Sequence, residues 1–184
     1  MTVIEGIPGV PRFEREEFRE KESEYCLLIP ILNEGERIHR ELRRAQKAGV
    51  DKLVDIAICD GASTDGCTGE EGLRALGVNT LLTKRDTGKQ GVQLRMGIWW
   101  ALERGYQGVL TIDGNDKDSI EDVPRFLQKL EEGYDLVQGS RFIRGGHAVN
   151  TPKVRYLAVR LVHAPVISLT ARQWFTDTDR KSVV

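Results

Sequence analysis

Short apolar runs alternate with longer segments in which apolar residues recur at helical spacing, and this alternation begins at residue 25. Short apolar runs that end in turn residues are typical of buried strands, whereas recurrence at every third or fourth residue is typical of helices. The runs predicted as strands are residues 25–32, 54–59, 80–83, 108–112 and 136–138. The segments predicted as helices are residues 33–48, 70–76, 92–104, 119–130 and 154–167.

Local signals at the ends of these segments refine the helices. Gly49 follows the first helical segment and is expected to end it. Ser119 with Asp122 three residues later matches an aspartate version of the capping box, which predicts that a helix begins there. Pro165 interrupts the last segment, which is both apolar and basic and is expected to be an amphipathic helix.

Regular alternation of strands and helices predicts an α/β fold with a mostly parallel sheet flanked by helices on both faces. In such sheets, ligands bind beyond the carboxyl ends of the strands. Three polar loops follow predicted strands and would all lie at that edge, namely residues 33–34, 60–65 and 113–118. Residues that are far apart in the sequence are therefore expected to converge on one site.

The first 24 residues differ from the rest of the chain. They carry Pro8 and Pro11 and then a dense charge run from residue 12 to residue 24. This pattern favours an extended arm followed by a solvated helix. We therefore divide the chain into a charged N-terminal arm, residues 1–24, and one α/β domain, residues 25–184.

Charge and cysteine content exclude several classes of protein. The chain has 27 basic and 28 acidic residues, a balance that gives no electrostatic reason to expect nucleic-acid binding. Cys26, Cys59 and Cys67 form no CxxC pair, which argues against a disulfide framework or a zinc site and favours a reduced, cytoplasmic compartment. No apolar run approaches the ~20 residues that span a bilayer, and residues 1–24 lack the apolar core of a secretion signal. A peripheral contact at the cytoplasmic membrane face stays open.

Oxygen ligands cluster after the fourth predicted strand. Asp113, Asn115, Asp116 and Asp118 provide side-chain oxygens of the kind that Mg²⁺ or Mn²⁺ prefers. A divalent ion there would neutralise a diphosphate and help it to depart. The alternative is a plain surface turn, because Asp, Asn and Gly are favoured turn residues.

Four further motifs are weak when each is taken alone. Asp60 and Gly61 end the second strand, where a carboxylate can accept a hydrogen bond from a base or a ribose, while Ser63 and Thr64 can equally cap a turn. Asn33 and Glu34 follow the first strand, and Asn33 can equally be a helix N-cap. The remaining two motifs suit anions or surface salt bridges. They are Gly88-Lys89-Gln90-Gly91 with Arg95 in the following helix, and Gly139-Ser140-Arg141 with Arg144 nearby.

Taken together, the motifs resemble glycosyltransferase family 2, especially its dolichyl-phosphate mannose synthase-like branch. The pattern there runs P-x-x-N-E, D-D/G-G-S-T-D-G, G-A-A-L-R-x-G, D-A-D-G, E-G-Y-D and G-S-R-F. The corresponding stretches here are residues 30–34, 60–66, 91–97, 113 onward, 132–135 and 139–142. The resemblance covers about residues 25–145 and implies a GT-A nucleotide-diphospho-sugar transferase fold, a UDP- or GDP-sugar donor and Mg²⁺ or Mn²⁺.

The resemblance also implies roles for individual residues. Pro30, Asn33 and Glu34 would border the nucleoside, and Asp60 with Gly61 would meet the base or ribose. The other implied positions lie in the second half of the motif series. These are Arg95 at the donor, Asp113 near the ribose and metal, Asn115 and Asp116 in the metal shell, and Arg141 on the phosphates or an acceptor phosphate, with Asp113, Asp116 and Arg141 acting in catalysis.

Four departures from the family pattern bear on function. Asn115 replaces the second aspartate of D-x-D, so Asp116 or Asp118 would have to supply the missing carboxylate. Gly61 stands at the second aspartate of the D-D-G pair, and Gln90 looks inserted before the G-A-A-L-R stretch. Residues 175–178 begin the family's D-T-x-x-G-F-R stretch, but no G-F-R follows, so the C-terminal part is expected to be truncated or diverged.

The leading hypothesis is a metal-assisted, inverting transfer of a sugar from a UDP- or GDP-sugar to a lipid phosphate or saccharide. A lipid phosphate is already ionised, whereas a hydroxyl acceptor needs a general base, for which Asp116 and Asp118 are weak candidates. One alternative is a non-catalytic fragment that binds nucleotide sugars. A nucleotidyltransferase is less favoured, because the loop at residues 30–37 has only Gly35 where that class carries a glycine-rich basic loop.

Overall fold

The computed structural model describes residues 1–140, 153–172, 174–177 and 182–183. The strands are β1 (Thr2–Ile4), β2 (Phe13–Glu17), β3 (Tyr25–Ile31), β4 (Asp55–Asp60), β5 (Val78–Lys84), β6 (Gly108–Thr111), β7 (Val137–Gln138) and β8 (Ser182–Val183). The helices are α1 (Glu36–Lys47), α2 (Glu70–Ala75), α3 (Gln90–Glu103), α4 (Val123–Glu131), α5 (Lys153–Ala158) and α6 (Ala164–Ala171). Short 3₁₀ turns occupy Val50–Lys52 and Ile120–Asp122.

The sheet has a parallel centre and antiparallel edges. Its order begins β1-β2-β5-β4-β3-β6. The neighbours β5, β4, β3 and β6 are parallel, whereas β2 pairs antiparallel with β5 and β8 pairs antiparallel with β6. The predicted α/β fold with a mostly parallel sheet is therefore confirmed.

Helices cover both faces of the sheet, as predicted. Alternate residues of β3 point to opposite faces, so Leu27 and Ile29 pack with Ile38 and Leu42 of α1. On the other face, Leu28 packs in a cluster that includes Met96 and Trp100 of α3. Both clusters are buried, which makes β3 the centre of the hydrophobic core.

Two glycines allow neighbouring elements to lie unusually close to the sheet. A Cβ on Gly97 of α3 would lie 2.5 Å from the Cys59 Sγ, and a Cβ on Gly114 would lie 2.5 Å from the Ile31 Cγ2. Real Cβ atoms do not approach other heavy atoms so closely, so both positions require glycine. The loop that carries Asp113 is thereby held against the end of β3.

The predicted solvated helix within residues 12–24 is wrong. Residues 13–17 form β2, which lies along the edge of β5, and Phe13 is fully buried. The ring of Phe13 meets Trp99 edge to face, with centroids 6.0 Å apart. The charges that suggested a helix lie on a strand that pairs with β1 on one side and β5 on the other, and Glu14 pairs with Arg85 beside it.

Two predicted helix starts are also wrong. Ser119 precedes the 3₁₀ turn and makes no side-chain cap, and α4 begins only at Val123. Pro124 lies in the first turn of α4, where its fixed φ and missing N–H are tolerated. Helix α1 begins at Glu36 after Gly35, so Asn33 is not its N-cap. Gly49, by contrast, follows α1 with φ 72°, as expected of a helix stop.

The chain divides into two compact units, Met1–Val137 with Val183–Val184, and Gln138–Ser182. In the second unit, α5, a π-helical turn at Val159–His163 and α6 follow one another, with Pro165 in the first turn of α6. No helix in the described part of the chain is long and apolar enough to cross a bilayer. The domain bounds of 1–24 and 25–184 stay a prediction.

Candidate functional site

The polar loops predicted to converge follow β3, β4 and β6, which are adjacent parallel strands. Asp60 is the last residue of β4, and Asp113 lies two residues beyond β6. Pro30 lies opposite Cys59 of β4, beyond the last paired residues of β3 and β6, Leu28 and Thr111. The missing N–H of Pro30 is tolerated because β6 no longer pairs there.

Asp60 organises the turn that follows β4. Its carboxylate is buried and accepts hydrogen bonds from the Ala62 N–H (3.1 Å), the Ser63 N–H (3.0 Å) and the Ser63 hydroxyl (2.6 Å). Ala62 has φ 73°, a left-handed conformation that is strained for any residue with a Cβ. These hydrogen bonds hold the strained turn and present its backbone at the edge of the sheet.

The loop after β3 is tied to this turn through Asn33. The Asn33 N–H donates to the Ser63 hydroxyl (2.9 Å), and the Asn33 side-chain oxygen accepts from the Thr64 N–H (2.8 Å). Further along the same two loops, the Gly35 N–H donates to the Asp65 carboxylate (2.8 Å). The structure therefore brings Asn33 and Asp60 together through Ser63, as the convergence of the loops predicted.

Gln90, which looked inserted in the sequence, contacts Asp113. It is the first residue of α3, and its side-chain amide donates to the Asp113 carboxylate. The helix start is thereby linked to the loop after β6. The motif reasoning missed this role, because the partners are 23 residues apart and belong to different motifs.

Gln93, one turn along α3, closes the gap between the ends of β3 and β4. Its buried amide donates to the carbonyls of Ile31 (2.6 Å) and Cys59 (2.8 Å). A Cβ on Gly61 would lie 3.0 Å from this amide nitrogen, so Gln93 fills the space that an aspartate at position 61 would need. The departure at Gly61 thus has a packing reason. The signal in the sequence is a polar residue on the buried face of a helix.

Asp116 points toward α1. Its carboxylate pairs with the Arg40 Nε (2.9 Å) and an Arg44 guanidinium nitrogen (2.9 Å), and its N–H donates to Glu41 (3.0 Å). Burial opposes ionisation of Asp116, but the two arginines outweigh it and hold the pKa of this carboxyl below its usual value. The roles predicted for Asp116 in metal binding and catalysis therefore compete with a role in fixing its loop.

Glu41, on the same helix, is fully buried. Burial raises the pKa of Glu41 to about 8, with the nearby carboxylates of Asp118 and Asp116 adding to the effect. The hydrogen bond from the Asp116 N–H acts in the opposite direction. Glu41 is therefore largely protonated at neutral pH and adds no full negative charge behind the Asp116 loop.

The remaining predicted residues lie apart from this network or outside the described residues. Glu34 forms an ion pair with Arg37, with 3.0 Å between Oε2 and Nε but without hydrogen-bond geometry. Arg95 is exposed on α3. Arg141 and Arg144 lie outside the residues that the structure describes.

The oxygens around Asp113 bear on the predicted metal. The Asn115 side-chain oxygen accepts from the Lys117 N–H (3.1 Å), and the Asp113 carboxylate accepts from Gln90. Within the residues described, no three His, Cys, Asp or Glu side chains form a metal-binding group. This donor set fits an ion of the Mg²⁺ type only where substrate phosphates and water complete the shell, which is the usual arrangement for Mg²⁺.

A mostly parallel α/β sheet with acidic loops at its carboxyl edge defines the class, a GT-A nucleotide-sugar transferase fold. Glucosyl-3-phosphoglycerate synthase from Mycobacterium tuberculosis, crystallised with Mn²⁺, UDP and glucosyl-3-phosphoglycerate, superposes with a TM-score of 0.58 at 19% identity, covering 91% of this chain and 57% of that one. Its complex with UDP gives a TM-score of 0.59 at 20% identity, covering the same 91% and 57%. These likenesses confirm the predicted fold.

Sequence relatives place the chain more narrowly, although no family model matches it. Undecaprenyl-phosphate mannosyltransferase of Micrococcus luteus is 33% identical over 130 residues, 70% of this chain and 52% of the relative. Polyprenol monophosphomannose synthase of Mycolicibacterium smegmatis is 30% identical over 130 residues, 68% of this chain and 48% of the relative. The chain belongs to glycosyltransferase family 2, in the dolichyl-phosphate mannose synthase-like branch. It spans about half the length of these relatives.

Proposed function

We propose that this protein binds a UDP- or GDP-sugar at the carboxyl edge of the sheet and transfers the sugar, with inversion, to an acceptor. The observation that carries the proposal is the interlocked edge itself, in which Asn33, Ser63 and Asp60 fix two loops and Gln90 fixes Asp113. Such an edge is where open α/β sheets bind nucleotides. The names of the two sequence relatives, both mannosyl-transferring enzymes, support the same reaction class.

Within this proposal, Asp113 is the carboxylate that holds a divalent cation together with the donor diphosphate. The cation would supply charge neutralisation for the departing nucleoside diphosphate. Gln90 keeps the Asp113 carboxylate oriented toward the edge by donating one hydrogen bond to it. The left-handed turn at Ala62, fixed by Asp60, lies at the same edge and would border the nucleoside. Arg141 is proposed to hold the phosphates.

A lipid phosphate is the acceptor class we favour. The helical segment of the second unit exposes apolar side chains, namely Val154, Leu157, Leu161, Val162, Val166, Ile167 and Leu169, and Trp174 beyond it is also exposed. Residues 153–176 contain four Lys or Arg residues and no Asp or Glu. An apolar, basic helix suits the surface of an anionic bilayer. A phosphate acceptor is already ionised, so no general base is required from the protein.

Donor binding is tested by calorimetric titration of UDP- and GDP-sugars with Mn²⁺ into the wild-type chain and into Asp113→Asn. We expect one class of donor to bind the wild-type chain and the variant to lose its metal-dependent affinity. Asp122→Asn is the matched control, because Asp122 follows the same loop but pairs with Arg125. If neither donor binds at millimolar concentration, the proposal is wrong.

A non-catalytic nucleotide-sugar-binding role is the second candidate. It is favoured by Asn115 at the second position of D-x-D and by the finding that, among the described residues, no three His, Cys, Asp or Glu side chains form a metal-binding group. This role predicts binding without turnover. Transfer of a labelled sugar to polyprenyl phosphate in detergent would exclude it, whereas binding with no transfer to phosphate or saccharide acceptors would favour it.

A further inference from the structure

The loop that carries Asp113 is held from α1 by two arginines one turn apart. Arg44 donates to Asp116 (2.9 Å), to Glu121 (2.8 Å and 2.6 Å) and to the Asp118 carbonyl (3.0 Å). Arg40 donates to the other oxygen of Asp116 (2.9 Å). One guanidinium therefore contacts three residues of the segment between β6 and α4, over 72 to 77 positions of sequence.

These contacts differ from ordinary surface ion pairs. The Asp116 side chain is only 15% exposed, and Arg44 binds Glu121 in a bidentate manner. Asp116 also has φ 59°, a conformation that a non-glycine residue keeps only where its surroundings hold it. The Asp116 N–H donates to buried Glu41, so both the backbone and the side chain of this residue are fixed to α1.

The restraint on Asp116 extends along the loop to Asp113. Between the two aspartates, Gly114 packs so closely on Ile31 that the backbone has no room to shift toward β3. Gln90 contacts Asp113 from the side of α3. Asp113 therefore lies between two anchors, one at α3 and one at α1.

We propose that Arg44, assisted by Arg40, is a positioning residue for Asp113. In this proposal Asp116 accepts hydrogen bonds from the two arginines and does not bind the metal. This inference rests on the proposed donor site. It assigns a role to two residues of α1 that lie outside every family motif described above. Residues that contact a metal ligand set the orientation of that ligand, so their loss weakens the affinity for the metal.

Helix α1 supplies its own control. Arg43 is adjacent to Arg44 but pairs with Glu36 on the exposed side of the same helix. Arg43→Met and Arg44→Met remove the same chemistry from neighbouring positions. A general loss of helix stability would affect both variants, whereas a positioning role affects Arg44→Met alone.

The test compares the affinity for UDP and GDP in EDTA and in saturating Mn²⁺, by calorimetry on the full chain. For Arg44→Met we expect metal-free affinity to stay unchanged and the apparent affinity for Mn²⁺ in the nucleotide complex to fall roughly 10- to 100-fold. Arg44→Lys keeps the positive charge but loses the bidentate guanidinium, so its apparent affinity for Mn²⁺ should lie between those of the wild type and Arg44→Met. Arg43→Met should match the wild type.

Asp116→Asn decides between positioning and direct ligation. If Asp116 acts through Arg44, the double variant Arg44→Met/Asp116→Asn loses no more Mn²⁺ affinity than the weaker-binding single variant. Additive losses would show that Asp116 binds the metal itself and would overturn the inference. Unchanged Mn²⁺ dependence in Arg44→Met, with normal wild-type binding, would also overturn it. Absence of any nucleotide binding by the wild type would instead remove the proposed function, and this role with it.

Discussion

The side-chain amide of Gln93 donates to the backbone carbonyl of Cys59 across 2.8 Å, at the point where β4 ends. The same amide also reaches the Ile31 carbonyl at the end of β3. One helical side chain thus satisfies backbone acceptors of two adjacent strands immediately beneath the candidate donor site. The ends of β3 and β4 are therefore held by α3.

Gln93→Leu tests this arrangement, because leucine fills a similar volume but removes the side-chain donor from both carbonyls, of which Ile31 keeps the Gly61 N–H (2.9 Å). We expect the free energy of unfolding to fall by about 1–3 kcal/mol, the cost of removing a hydrogen-bond donor from a buried acceptor. Chemical denaturation measures the change. Gln107→Leu is the matched control, since Gln107 donates to Glu24 at the exposed surface and should change stability little. Equal effects of the two substitutions would contradict the role given to Gln93.

Restoring the family's aspartate at position 61 is predicted to destabilise this protein. Gly61→Asp would place a Cβ 3.0 Å from the Gln93 amide nitrogen and a carboxylate beyond it, so we expect about 1–3 kcal/mol of destabilisation from overpacking. Adding Gln93→Ala to Gly61→Asp should recover part of the loss, because it removes the obstructing amide. Thermal denaturation of the single and double variants measures the coupling. Strictly additive losses would mean that the two residues do not compete for space.

Strand β2 is predicted to contribute to the hydrophobic core. Phe13 is fully buried and packs on Trp99, so Phe13→Ala should lower the free energy of unfolding by about 3–5 kcal/mol. Val3→Ala, in the exposed outer strand, serves as the control and should have little effect. Urea denaturation followed by tryptophan fluorescence reports both changes. A solvated arm would give no loss for either variant.

Stability is expected to fall with rising pH because of Glu41. Burial raises the pKa of its carboxyl in the folded chain to about 8, from an ordinary value of 4.5. Between these values the folded chain holds a proton that the unfolded chain has released, so this contribution to stability is full below 4.5 and is lost as the pH approaches 8. Glu41→Gln keeps an acceptor for the Asp116 N–H and removes the titration.

We therefore expect Glu41→Gln to melt at a higher temperature than the wild type at pH 8, with the difference shrinking toward pH 5. Glu103→Gln, on the exposed side of α3, should show the pH dependence of the wild type. Melting temperatures across this range measure the effect. Identical pH profiles for Glu41→Gln and the wild type would show that Glu41 ionises normally in the folded chain.

The sequence determined those parts of the fold that depend on a local pattern of apolar and polar residues. Strands β3 to β6 and helices α1 to α3 follow from apolar periodicity, because the burial of each element depends on its own residues. The convergence of Asn33, Asp60 and Asp113 on one edge follows from strand alternation, since parallel strands end at the same side. The family resemblance rests on the order of the motifs along the chain, and the sequence relatives confirm it.

Tertiary structure alone decided the rest, because those features depend on partners distant in the chain. The charge run near Phe13 became a strand only through the open edge of β5, some seventy residues away in the pairing of Glu14 with Thr83. Gln90 meets Asp113 across 23 positions, and Arg44 meets Asp116 across 72. A carboxylate in a D-x-D-like motif looks the same in sequence whether it faces a metal or an arginine. Packing of α1 against the loop decides which side chain it faces.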